Sequence, residues 1–168
     1  MDEAGVNLSL IPLFARARRG QRAYGARPER RGQNVSLIGA LSLRGVIAQT
    51  SLLGAVDGLT FEAFVAGELV PKLWPGADVV MDNASIHQGD PVAEMIRAAG
   101  AHLLYLPTYS PDFSPIENLG SKLKHILRSL GARAAPDLLA ALEQAYAQIT
   151  QTDIQHWFAH CCYCTSLA

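Results

Sequence analysis

Leu106-Pro107-Thr108-Tyr109-Ser110-Pro111-Asp112-Phe113-Ser114-Pro115-Ile116-Glu117-Asn118 is a turn-rich stretch that gives way to a helix, and its reading decides the fold. Proline and Asp/Ser punctuate the first ten residues, while Ile116–Leu127 reads as helical, so Glu117 stands in a first helical turn. Going back along the chain, Ala77-Asp78-Val79-Val80-Met81-Asp82-Asn83 reads as a short buried strand with a carboxylate at its C-terminal tip. Glu117 follows Asp82 by 35 residues, and a third acid, Asp2, opens the chain in Met1-Asp2-Glu3-Ala4-Gly5. Three carboxylates brought from separate elements are the usual way to hold Mg²⁺ for phosphoryl transfer.

Each acid alone has a plainer reading. Asp-Asn after a strand is commonly a turn whose side chain bonds nearby backbone N–H groups. A Glu just after Ser-Pro is favoured by the helix dipole, and Asp2 could be a polar chain end. Taken together, Asp-Glu-Ala-Gly at 2–5, Met-Asp-Asn-Ala-Ser-Ile-His at 81–87 and the block 106–118 resemble the DDE catalytic domain of IS630-type insertion-sequence transposases, relatives of the Tc1/mariner group. The resemblance covers nearly the whole chain, and the 106–118 block is its most specific part.

The resemblance implies an α/β, ribonuclease-H-like fold: a mixed sheet flanked by helices. It implies Mg²⁺ (or Mn²⁺), two ions, with Asp2, Asp82 and Glu117 as catalytic ligands and Asp82 bridging both. Asn83 and His87, just beyond the strand tip, are expected to contact the scissile phosphate or to orient a ligand. Tyr109 belongs to a stiff loop placed to touch DNA. The implied partners are DNA, as terminal inverted repeats and target, a second copy in a homodimer, and an N-terminal helix-turn-helix region encoded in an upstream frame. In the family the first, central strand ends at the first aspartate. With Asp2 at the second position, that strand is expected to be truncated unless residues 3–10 supply it. Relatives also carry a bulky aromatic shortly after the Glu-Asn pair, where this chain has Leu119-Gly120-Ser121. A helical Gly120 costs about 1 kcal/mol against Ala.

The 168 residues, 49% of them hydrophobic, suit one domain with a substantial core. No apolar run is long enough for a membrane span and no signal peptide is legible, so a bacterial cytoplasmic location and no membrane partner are expected. A net charge of −1 argues against a protein that coats nucleic acid non-specifically. Charge distribution carries more information than the sum: Arg16, Arg18, Arg19, Arg22, Arg27, Arg30 and Arg31 make up seven of the eleven arginines. That stretch is either a solvated loop or a phosphate-contacting surface. Arg18, Arg19 and Arg22 are candidate DNA contacts, as are Lys122 and Lys124. Lys124, seven positions after Glu117, shares its helical face, whereas Lys122 lies on a flank.

Asn34–Ser42 and Val46–Leu53 read as a hairpin across Leu43-Arg44-Gly45. Thr60 is a candidate N-cap for a helix over 61–73, which Pro75-Gly76 ends. A helix opens at Asp90-Pro91 and runs to Gly100, a strand follows at 101–106, and beyond Gly131 another helix spans Pro136 to about Ile149. Residues 1–135 are read as the catalytic domain and 136–168 as its helical extension. Cys161, Cys162 and Cys164, with His156 and His160, offer a possible zinc set, but adjacent Cys-Cys does not match paired zinc spacing. A helix end carrying small apolar thiols is the preferred reading. Two functional alternatives stay open: an inactive remnant that only binds DNA or dimerises, and a ribonuclease-H-type nuclease.

Overall fold

The computed structural model describes residues 1–12, 14–25, 29 and 32–163. Five strands and five α-helices follow the order β1 (Asp2–Val6), β2 (Val35–Ser42), β3 (Gly45–Leu53), α1 (Gly58–Phe64), β4 (Asp78–Met81), α2 (Asp90–Ala98), β5 (His102–Tyr105), α3 (Pro115–Leu130), α4 (Ala135–Ala147) and α5 (Gln151–His160). The strands β1, β2 and β3 form an antiparallel ladder in that order, and β4 pairs with β5 in parallel through the α2 crossover. The two ladders meet where Met1 N donates to Val80 O at 2.6 Å.

Asp2 opens β1 instead of ending it. The strand runs on through Val6, with Asp2 opposite Gly39 and Val6 opposite Val35. Residues 2–6 therefore supply the strand that sequence reasoning left in question. They can do so because β2 is half again as long and offers a partner to every one of them.

Alternation along the strands divides the core into two layers. Ile38 and Ala40 of β2, with Val79 and Met81 of β4, pack against Phe61, Phe64, Val65, Leu69, Val92 and Ile96. Val6, Val35 and Leu37 pack on the other face against Ile116, Leu119, Leu123, Ile126 and Leu127 of α3 and Leu138 and Leu142 of α4. Burial on both faces explains why β2 reads as a nearly continuous apolar run. Each fully buried Leu or Ile contributes roughly 1.5–3 kcal/mol, so α3 is anchored firmly along one side.

Boundaries differ from the sequence expectation in two places. The helix expected over 61–73 starts at Gly58, because Asp57, not Thr60, is the cap: its carboxylate accepts from Thr60 N at 2.8 Å. Beyond Phe64 the segment widens into a π-turn over Val65–Leu69 and tightens at Val70–Lys72, where Pro71 cannot continue an α-helix. The C-terminal extension is two helices. α5 begins at a capping box in which Thr150 accepts from Asp153 N while the Asp153 carboxylate accepts from Thr150 N. No helix among the described residues is long and apolar enough to cross a membrane.

Candidate active site

Three elements deliver the acids to one place. β4 ends at Met81, so Asp82 leaves the sheet at the tip of its C-terminal edge. Asp2 begins β1, the strand that meets β4 through Met1. Glu117 lies in the first turn of α3, where Pro115 sets the helix start and Glu117 N donates to Ser114 O. Asp2, Asp82 and Glu117 line one cavity of about 300 Å³, walled otherwise by Asn83, Ala84 and the loop Leu106–Pro111.

The acids there repel one another. Burial, then the carboxylates of Glu117, Glu3 and Asp82, push the Asp2 carboxyl up to about 6 against the one opposing hydrogen bond from Glu3 N. An all-oxygen, anionic donor set of this kind suits Mg²⁺ or Mn²⁺. The carboxylates share a wall, not a finished coordination sphere: among the described residues no three His, Cys, Asp or Glu side chains are gathered closely enough to hold one ion.

The Asp82 carboxylate is held from behind. Its Oδ1 accepts from Ala84 N at 3.1 Å, the turn bond that the Asp-Asn pair suggests, and lies 2.5 Å from His87 Nδ1. His87 is completely buried. Its other nitrogen, Nε2, is 2.8 Å from Glu3 Oε1, its ring lies 4.4 Å from that of Phe61, and its carbonyl accepts from Tyr105 Oη at 2.8 Å. Burial works against charge on this imidazole, but the Glu3 carboxylate and then Asp82 outweigh it and raise its pKa. His87 is therefore no surface residue and does not reach DNA, because both ring nitrogens are engaged inside the protein. This corrects the expectation of a phosphate contact. Glu3 is the residue that sequence reasoning missed. The available signal was strand alternation: the acid next to Asp2 must point to the opposite, buried face and needs a partner there.

The other candidates separate by environment. Asn83 is exposed at the rim and its Oδ1 accepts from Gln88 Nε2 at 2.6 Å. Tyr109 is 97% exposed and adopts φ 57°. Lys124 lines a groove with Asp2, Glu117 and Gly120, as its helical position requires. Lys122 is instead ion-paired with Asp153. Arg18, Arg19 and Arg22 are exposed in the irregular segment between β1 and β2, while Arg27, Arg30 and Arg31 lie outside the described residues. At the C-terminus, Cys161 is buried beside Asn118 and Cys162 is exposed. These two cysteines form no metal cluster with His156 or His160 among the described residues, and Cys164 lies outside them.

The fold that carries these acids is shared with known proteins. Residues 1–138 match the family described as DDE superfamily endonuclease, and the chain belongs to that family. The proteins it is similar to include a transposable-element transposase and structures of mariner transposase. The Tcb1 transposase of Caenorhabditis briggsae is 28% identical over 129 residues, 70% of this chain and 46% of that protein. The Mos1 transposase in its paired-end complex with the left transposon end superposes with a TM-score of 0.77 at 20% identity, over 94% of this chain and 50% of the other. The isolated catalytic domain of Mos1 mariner transposase gives 0.66 at 17% identity, over 76% and 68%, and the Mos1 paired-end complex with Mn gives 0.73 at 20%, over 98% and 53%. The chain thus spans about half the length of the curated relative and of the Mos1 chains in the two paired-end complexes.

Proposed function

We propose that this chain is the catalytic domain of an IS630-type DNA transposase, cutting element ends and joining them to target DNA by metal-dependent phosphoryl transfer. The observation that carries the reading is the meeting of Asp2, Asp82 and Glu117 at one anionic cavity on a fold shared with Mos1 transposase. Asp2, Asp82 and Glu117 would hold two divalent ions, which when bound supply Lewis-acid stabilisation of the attacking and leaving oxygens.

The chain's own residues do the remaining work. Asp82 is fixed by a turn bond and a buried imidazole, Glu117 by a helix whose opposite side is embedded in the core, and Asp2 by a strand paired along its length. Rigid mounting of this kind is what in-line displacement demands. Asn83 and Tyr109 line the cavity and Lys124 the adjoining groove as candidates to receive DNA, with the exposed Arg18, Arg19 and Arg22 as further candidates. The partners in this reading are the element's inverted repeats and target DNA, a second copy pairing two ends, and a helix-turn-helix region that selects the ends. The setting is the bacterial cytoplasm or nucleoid.

The test is cleavage of a labelled element-end duplex in Mg²⁺ or Mn²⁺ by the full-length transposase. Asp82→Asn and Glu117→Gln each abolish cutting and leave the circular dichroism spectrum unchanged. Retained cutting removes the assignment. Cutting of RNA–DNA hybrids without element ends would favour a ribonuclease-H-type nuclease, and DNA binding without Mn²⁺ binding would favour an inactive DNA-binding remnant.

A further inference from the structure

Two neighbouring residues of β1 reach the same carboxylate by different routes. Asp2 faces the cavity that Asp82 also lines. Glu3, on the reverse side of the strand, meets His87 Nε2 at 2.8 Å, and His87 Nδ1 lies 2.5 Å from Asp82 Oδ1. Phe61 stacks beneath the ring, Tyr105 Oη holds its backbone carbonyl, and solvent is excluded from it. The imidazole is therefore held at both ring nitrogens and at its backbone carbonyl. Oδ1 of Asp82 accepts from Ala84 N and lies 2.5 Å from His87 Nδ1, which also bonds the Asp82 carbonyl oxygen at 3.4 Å, while Oδ2 accepts no hydrogen bond among the described residues.

We propose that Glu3 and His87 are positioning residues for Asp82, a buried carboxylate–imidazole–carboxylate chain that locks one oxygen of Asp82 so that the other is presented to the cavity. The proposal rests on the reading of Asp82 as a metal ligand. A carboxylate just past the end of a strand, half exposed and followed by a turn, would otherwise sample several rotamers. Locking one oxygen removes that freedom before an ion arrives, and outer partners of this kind typically change metal affinity 10–100-fold. The chain also accounts for an acid at position 3, whose burial beneath the sheet has no other partner among the described residues.

Calorimetric titration with Mn²⁺ of the wild-type chain, Asp82→Asn, Glu3→Gln, His87→Gln and Phe61→Leu tests the proposal. Phe61→Leu loosens the same shelf without touching the hydrogen bonds. It is expected to lower the melting temperature and leave Mn²⁺ affinity as in wild type. Glu3→Gln is expected to weaken Mn²⁺ at least tenfold while the protein stays folded, and His87→Gln to do the same where it folds. Wild-type affinity in Glu3→Gln overturns the proposal and leaves the metal site standing. If Mn²⁺ binding is absent from wild type or unchanged in Asp82→Asn, the metal-site reading fails by itself. A double-mutant cycle of Glu3→Gln against Asp82→Asn, read as denaturation midpoints, then decides. Non-additive shifts between these non-touching residues support the chain through His87, and additive shifts overturn it.

Discussion

Lys122 of α3 is ion-paired with Asp153, the residue that closes the capping box at the start of α5. One carboxylate thus caps a helix and ties it to the helix that carries Glu117. The Lys122 ammonium, then Thr150, hold the Asp153 carboxyl down at about 2, below its ordinary 3.8. A depressed carboxylate adds stability that is present above pH 3.8 and is lost as pH falls toward 2. Lys122→Met should therefore cost about 1 kcal/mol or less at pH 7, given partial exposure of the pair. The deficit should shrink between pH 4 and pH 2 in urea denaturation. A deficit independent of pH would show that the pair adds nothing. The same variant should bind DNA nearly as well as wild type, unlike Lys124→Ala.

Asp2 has the opposite sign. Its carboxyl is pushed up to about 6 by burial and by neighbouring acids, so between pH 4 and pH 6 the unfolded chain loses this proton first and stability falls as pH rises. Above pH 6 the full cost of the shift, up to about 3 kcal/mol, is in place. Asp2→Asn should be more stable than wild type at pH 7.5 and equal to it at pH 3.5. Mn²⁺ should then raise the melting temperature of wild type but not of the variant, since binding to the folded state alone stabilises it. Equal stability of the two proteins at both pH values would contradict this account.

Gly120 stands one turn after Glu117 with its backbone in ordinary helical conformation, and a methyl group there would meet Ala4 Cβ at 3.7 Å, an ordinary contact. Nothing in β1 has to move to admit it. Gly120→Ala should stabilise the protein by about 1 kcal/mol through helix propensity, visible as a higher denaturant midpoint with an unchanged slope. A loss of stability would mean that the packing of α3 on β1 is tighter than this spacing.

The hairpin, the β4–α2–β5 crossover and α3 were legible because each is written in local periodicity and punctuation: Leu43-Arg44-Gly45 turns the hairpin, Asp90-Pro91 opens α2, and Gly131, at φ 65°, closes α3. Motif and spacing singled out the acids at 2, 82 and 117, which line one cavity. Of the two roles read for His87, phosphate contact conflicts with its burial, and a histidine in a polar turn gives no local sign of being buried. Only the fold brings Phe61 from 26 residues upstream and Glu3 from the chain start around it. The Lys122 ion pair was not legible for the same reason, since its partner Asp153 lies on α5, a helix that the sequence reading did not delimit.

Arg18, Arg19 and Arg22 precede β2 as exposed cations. If they neutralise phosphates, replacing all three with Ala should reduce the slope of log K against log salt by about 2–3. Affinity should drop alike for element-end and unrelated duplexes, because phosphate contacts carry no sequence information. An unchanged slope would identify the stretch as a solvated loop.

Tyr109 joins two costs at the cavity rim: a bulky residue held at φ 57° and an aromatic ring 97% exposed. Left-handed backbone is unfavourable for such a side chain, while Asn tolerates it. Tyr109→Asn should accordingly stabilise the protein by up to about 1 kcal/mol. An exposed ring beside the proposed catalytic cavity has a use if it stacks on a base that leaves the duplex, an interaction worth about 1–3 kcal/mol by truncation. The same substitution should then weaken binding to element-end DNA roughly 5- to 150-fold, and Tyr109→Phe, which keeps the ring, should restore it. Opposite effects on stability and affinity would mark Tyr109 as a residue kept for DNA at the fold's expense. A gain in stability with no loss in affinity would reduce it to a strained turn.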